Sequence, residues 1–177
     1  MVNHVQTRYG FIIQEDMTLF IEILALCAAF TVMVYVMSRD PIKTVYNYPP
    51  KIQERVSSLD MYKDKIPTQE NKIITKLTAC VIFTIVCALI LRYVNGCKTF
   101  TEALKTGFIL WTCVNLYDVV IMDIIWFCHD PHFVLPGTED MVEDYHDYLF
   151  HIKGGFIGEL IGMAVCVLAS LIVPFLP

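Results

Sequence analysis

The sequence predicts an all-α protein, a four-helix transmembrane bundle with a short amphipathic helix in each cytoplasmic loop. Three observations predict it. Of the 177 residues 56% are apolar and 18% charged, against about 45–50% and about 25% in an ordinary soluble domain. The excess, with a mean hydropathy of +0.56, is gathered into four runs, each near the ~20 residues that cross a bilayer. The basic residues collect in one of the connecting segments.

The first run is Met17 to Met37, with one charge at Glu22, and the second is Leu77 to Val94, closed by Arg92 and Asn95-Gly96. The third, Thr106 to Cys128, is interrupted by Asn115, Asp118 and Asp123. The fourth extends from about Gly155 to Leu176, with Glu159 near its start and prolines at 174 and 177. None carries the polar face of a surface helix, in which charges recur every three or four residues opposite an apolar stripe. Residues 1–177 therefore read as a single integral membrane domain. The first sixteen residues are polar and mixed in charge, unlike a secretory signal.

Lysines and arginines tend to stay in the cytoplasm. Between the first two spans lie Arg39, Lys43, Lys51, Arg55, Lys63, Lys65, Lys72 and Lys76, whereas the opposite side offers Arg8, Lys98 and Lys105. This places the long first loop and the segment His129 to Lys153 in the cytoplasm of a plasma-membrane protein, with the N- and C-termini outside. Cys27, Cys80, Cys87, Cys113, Cys128 and Cys166 fall inside or at the end of spans, without paired spacing, and read as small apolar residues. A net charge of −5 with no basic patch excludes a nucleic-acid partner; the lipid bilayer is the expected one.

In the first loop, Tyr48-Pro49-Pro50 stiffens the chain, and Ile52, Val56 and Leu59 then recur at helical spacing beside charges. This is a short helix lying in the headgroup layer as a spacer or docking a partner. In the last loop Pro136-Gly137 makes a turn and Thr138 caps a helix, with acids in its first turn. That helix is expected to run to about Ile152, with Gly154-Gly155 bending the chain into the fourth span.

A charge in hydrocarbon costs about 3 kcal/mol or more, so the ionisable residues within spans need partners. Glu22 and Arg92 fall at similar depth and either pair, locking the first two helices together, or snorkel to the surface. In the third span an ideal helix puts Asn115, Asp118, Asp123, Trp126, His129 and Asp130 on an arc about 140° wide. Such a stripe lines either a polar cavity or a hydrogen-bonded helix interface. Glu159, one turn into the fourth span, is expected at a depth comparable to Asp123, facing the same cavity or snorkelling. Gly154, Gly158, Gly162, Cys166 and Ser170 recur every four residues, a small-residue seam for close packing against the third span.

Four of the five histidines, His129, His132, His146 and His151, fall in one acidic stretch. On a helix from Thr138, Asp147 and His151 are i, i+4 neighbours and Glu143 and His146 are i, i+3 neighbours, as in metal-binding helical pairs. Imidazole with carboxylate suits a divalent metal such as Zn, Fe or Mn. His129, His146, Asp147 and His151 are the candidate ligands, and a solvated acidic helix is the competing reading.

The run WFCHDPHFVLPGTEDM, followed by YHDYLFHIKGG, resembles the signature of a family of small uncharacterised multi-pass bacterial membrane proteins. The resemblance covers the end of the third span to the start of the fourth. It implies that Trp126, His129, Pro136 to Met141, Tyr145-His146-Asp147 and His151 belong to one motif, and it implies no substrate.

Three function classes follow. One is a membrane-embedded metalloenzyme acting on a lipid-soluble substrate, with the histidines as ligands and Asp118, Asp123 or Glu159 as ligand or general base. Another is a small cation or proton transporter. The third is a non-catalytic assembly subunit whose acidic loop docks a partner. No phosphate-binding glycine loop, serine nucleophile elbow or haem-attachment CxxCH is present.

Overall fold

In the computed structural model the backbone is described for residues 2–67 and 72–177 and side chains for 17–67 and 77–177. The N-terminal sixteen residues, with Arg8, and Lys72 and Lys76 of the charge count lie outside the described side chains. The described backbone is helical with no strand. Four helices are long and apolar enough to cross a membrane: α1 (Val2–Met37) from Met17, α3 (Lys72–Leu89) prolonged by a π-turn to Val94, and α4 and α6 described below. Only 6% of the spanning window of α1 and 33% of that of the fourth span is buried within the protein. An outer surface of Leu, Ile, Val and Phe on this scale fits lipid rather than water as its solvent.

Two spans are longer than the sequence predicts, and in both a side-chain cap sets the true start. α4 (Phe100–Tyr117) begins six residues before Thr106 because Thr99 and Glu102 form a reciprocal capping box. The Glu102 amide donates to Thr99 Oγ1 at 3.3 Å and the Thr99 amide to Glu102 Oε2 at 3.1 Å. The fourth span does not start at Gly155. Asp147 caps it by accepting from the Phe150 amide at 3.0 Å, and α6 (Tyr148–Ile172) continues unbroken through Gly154-Gly155, where the sequence predicts the entry to the span.

The close packing follows the glycines. α6 packs most extensively on α4 and next on α3. A β-carbon at Gly158 would lie 3.1 Å from Asn115 Oδ1, one at Gly155 would overlap Val119, and one at Gly162 would overlap the Trp111 ring. Gly154, first of the predicted seam, faces open space instead. Replacing Gly162 with valine is therefore expected to destabilise the bundle by about 1–3 kcal/mol through overpacking. Gly154→Ala is expected to be neutral. Thermal unfolding in detergent checks both, and equal midpoints for the two variants would contradict the packing described.

At the other side of the bundle the two long connections form a cap with its own core. α2 (Pro50–Ser58) buries Ile52 and Val56 completely, against Tyr48, Tyr62, Leu135 and Tyr145. It is thus a packed element and not a headgroup spacer. Lys51 Nζ meets Asp144 Oδ1 at 2.6 Å and Arg55 meets Asp140 at 3.0 Å, so basic residues of the first loop answer acids of the last. The helix expected from Thr138 to Ile152 is broken into a 3-10 turn (Glu139–Met141), α5 (Val142–Tyr145) and α6. Tyr145 explains the break. Its hydroxyl accepts from the Leu135 amide at 3.0 Å and lies 2.7 Å from Thr138 Oγ1, which ties the segment back on itself. Gly137 supplies the turn this needs, with φ at +88°.

Candidate functional site

From Asp118 to Phe127, α4 continues as a π-helix, whose i→i+5 hydrogen bonds bring residues five apart closer around the axis than an α-helix does. The Cys128 amide, for example, donates to the Asp123 carbonyl at 3.0 Å. Asp118 and Asp123 are five apart. The wider turn therefore brings toward one face two carboxylates that an ideal α-helix would hold well apart around its axis. Both line a cavity of about 400 Å³ between α1, α4, α6 and the 3-10 segment Pro41–Asn47.

His151, in the first turn of α6, lines the same cavity. Its Nδ1 lies 3.2 Å from Asp123 Oδ2, with the histidine side chain 3% and the aspartate 32% exposed. Phe127 and Phe150 hold the imidazole in place, their ring centroids 5.0 and 5.3 Å from it. With Nδ1 against a carboxylate, the ring proton is held there and Nε2 offers a lone pair. Nε2 is buried and has no protein partner.

Tyr48 supplies a second such group, and the sequence singled it out only as part of a stiff turn. The residue is 2% exposed, lines the cavity and packs edge-on against Phe127 at 4.8 Å, yet its hydroxyl has no protein partner. Burial, with Tyr145 and Tyr62 nearby, pushes its pKa well above the ordinary phenol value, so it is a neutral O–H. Ser38, Thr44 and Asn47 add further polar wall from the first loop. Among the described residues lining the cavity there is no Lys or Arg.

The predicted metal set is not assembled. His129 and His146 meet each other, ring centroids 4.9 Å apart, and His129 Nε2 lies 3.2 Å from the Tyr148 hydroxyl, in a separate, more exposed aromatic cluster. Asp147 is spent as the α6 cap, so Asp147 and His151 are not a pair projecting from one helix. Glu143 approaches His146 only to 4.0 Å. Among the described residues no three His, Cys, Asp or Glu side chains form a metal-holding group.

Other residues of the predicted stripe have structural partners. The Asn115 amide donates to the Gly155 carbonyl at 3.1 Å. Trp126 Nε1 and the His132 amide both donate to Asp130, at 2.9 Å each, and these bonds hold its carboxyl below the usual range. A depressed carboxyl stabilises the fold above its unfolded value of about 3.9. That contribution is lost as pH falls through the lower folded value. The Trp126 indole and His132 amide resonances are expected to titrate together below the ordinary aspartate range; separate or absent titration would refute the shared bond.

Glu159 corrects another expectation. It does not line the cavity with Asp123 but accepts from Thr112 Oγ1 at 2.6 Å, eight residues beyond His151 along α6, about 12 Å deeper. Glu22 and Arg92 do not pair. Glu22 instead receives Asn95 Nδ2 at 2.5 Å, while Arg92 donates to the carbonyls of Pro177 at 3.1 Å and Cys97 at 3.3 Å. α1 and α3 are still joined there, by an amide rather than a guanidinium.

Comparison with known protein families, curated proteins and solved structures gives no match for this chain.

Proposed function

We propose that this is an integral protein of a bacterial plasma membrane, with α2 and the 128–147 segment in the cytoplasm and both termini outside. In this reading it is an enzyme whose cavity, near the inner leaflet, moves a proton on a lipid-soluble substrate. His151 is the general base, and Asp123 is the positioning residue that holds its tautomer and faces the imidazolium as it forms. Nε2 takes the proton of a substrate or water hydroxyl, and the O–H electron pair stays on that oxygen as the nucleophile. The observation that carries the reading is the buried, unpartnered Nε2 beside a carboxylate-bound Nδ1 in a cavity. Buried polar atoms are rarely left without a partner, so a ligand or water belongs there.

Two alternatives have less support. Proton or cation transport needs polar groups across the membrane, and beyond Asp118 the adjoining cavities are lined mainly by apolar side chains. An acidic docking loop is weakened because Asp140 and Asp144 already engage Arg55 and Lys51. The resemblance to small multi-pass bacterial membrane proteins agrees with the location and adds no activity.

The test is to incubate purified protein with total bacterial lipid extract and follow all species by mass spectrometry. Wild type is expected to convert one lipid class, His151→Gln to convert none, and His129→Ala and His146→Ala to behave as wild type. Stoichiometric metal in purified protein, lost with activity on substitution of His129 or His146, would put the divalent-metal reading in its place. Conversion by His151→Gln would end the proposal.

A further inference from the structure

Three cavities along α1 and α4 share walls. The site cavity and a second of about 350 Å³ have Phe30, Met33 and Asp118 in common. The second and a third of about 300 Å³ share Phe83, Trp111 and Val114, again with Phe30 and Met33. Near its outer end α1 packs closely on the bundle, where Leu19, Ile23 and Leu26 meet the core and Glu22 meets Asn95. Lower down, Thr31 touches Tyr117 and Met122, while Phe30 and Met33 face the cavities. The result is one groove that is polar at the His151 end and mainly apolar along its depth.

We infer that this groove binds a long-chain amphiphile whose head is a hydroxyl or ammonium, not a phosphate or carboxylate. The inference rests on the proposed role of His151 for the orientation of the head. His151 Nε2 accepts a hydrogen bond and therefore asks for a donor. The Tyr48 hydroxyl, fixed as a neutral group, is a second buried polar atom without a protein partner in the wall of the site cavity. The Asp123 carboxylate, with no lysine or arginine among the described lining residues to offset it, disfavours an anionic head. The tail has a matching channel. From Asp118 to Gly107, which lines the third cavity, α4 is about 16 Å long, roughly half of a ~30 Å hydrocarbon core, which suits a chain from one leaflet. Trp111 Nε1 is the exception in the channel, a buried donor without a partner.

The experiment uses hexadecanol carrying a diazirine near its chain end, photolysed with the full-length protein in nanodiscs. Labelling is expected on Phe83, Val86 or Trp111. It should be competed by hexadecanol and hexadecylamine and not by hexadecyl phosphate or butanol, and weakened at least tenfold in the Tyr48→Phe, His151→Gln double variant. Label spread evenly over lipid-facing residues such as Phe156 and Leu160, or competition by the phosphate as strong as by the alcohol, would overturn it. His151→Gln alone should retain tail labelling above the double variant. The proposed function and this inference fail separately: saturable labelling without turnover removes the base and keeps the ligand class, whereas turnover with no labelling of the groove removes the ligand class alone.

Discussion

His151→Gln is expected to lower turnover about 10²–10⁴-fold, the range associated with loss of a positioned general base. Glutamine keeps a polar group of similar reach between Phe127 and Phe150, so the helix start capped by Asp147 should survive. What it lacks is a nitrogen lone pair with the basicity to hold a proton. Asp123→Asn is expected to lose about 10²-fold or more by a different route, because an amide facing Nδ1 no longer requires the proton there. The double variant should be no worse than His151→Gln, since the carboxylate acts only through the imidazole. Rates measured on the converted lipid class decide this. Additive losses in the double variant would show Asp123 acting independently and would sink the pairing.

Ile52→Ala is expected to cost the cap about 2–5 kcal/mol, the usual penalty for emptying a fully buried aliphatic site. Ile52 is 0% exposed and packs in a core with Val45, Tyr48, Val56, Tyr62, Leu135 and Tyr145. That core, together with the Phe127 ring, positions Tyr48, which reaches from the cap into the cavity. The loss should thus appear twice, as faster amide exchange across residues 41–62 and as weaker binding of the long-chain alcohol. Leu171→Ala, at an exposed position on the apolar outer face, is the control and should change neither. Faster exchange with unaltered binding would show that Tyr48 is held in place by its contact with Phe127 instead.

How much of this was legible in the sequence depended on the range of the interaction. Runs of twenty apolar residues exposed the four spans, because the length and solvent of a membrane helix are local properties. The seam at Gly158 and Gly162 was visible for the same reason, as small residues every four positions mark one helix face. The placement of Asp123 and His151 together was legible only in outline. An arc at 100° per residue brings the acids to one side, but it does not contain the π-turn that draws Asp118 and Asp123 closer around the axis. Nothing in the composition of DVVIMDIIWF announces that turn. The metal reading failed on a similar point. It assumed one helix from Thr138 to Ile152, whereas Tyr145 bonding back to Leu135 and Thr138 breaks that helix and turns His146 away from His151.

The sequence by itself determined the solvent, the number of crossings and which polar residues would have to find partners, since each follows from the cost of leaving water one segment at a time. Only the tertiary structure decided who those partners are. Asn95 and not Arg92 meets Glu22, Thr112 and not the site cavity receives Glu159, and Tyr48 joins His151 in the cavity wall from the first loop rather than from the histidine's own motif. The reason is physical: a buried polar group takes whichever complementary atom the packing of distant helices brings within about 3 Å, and that distance is set by side chains such as Gly162 and Ile52 that carry no polar information themselves.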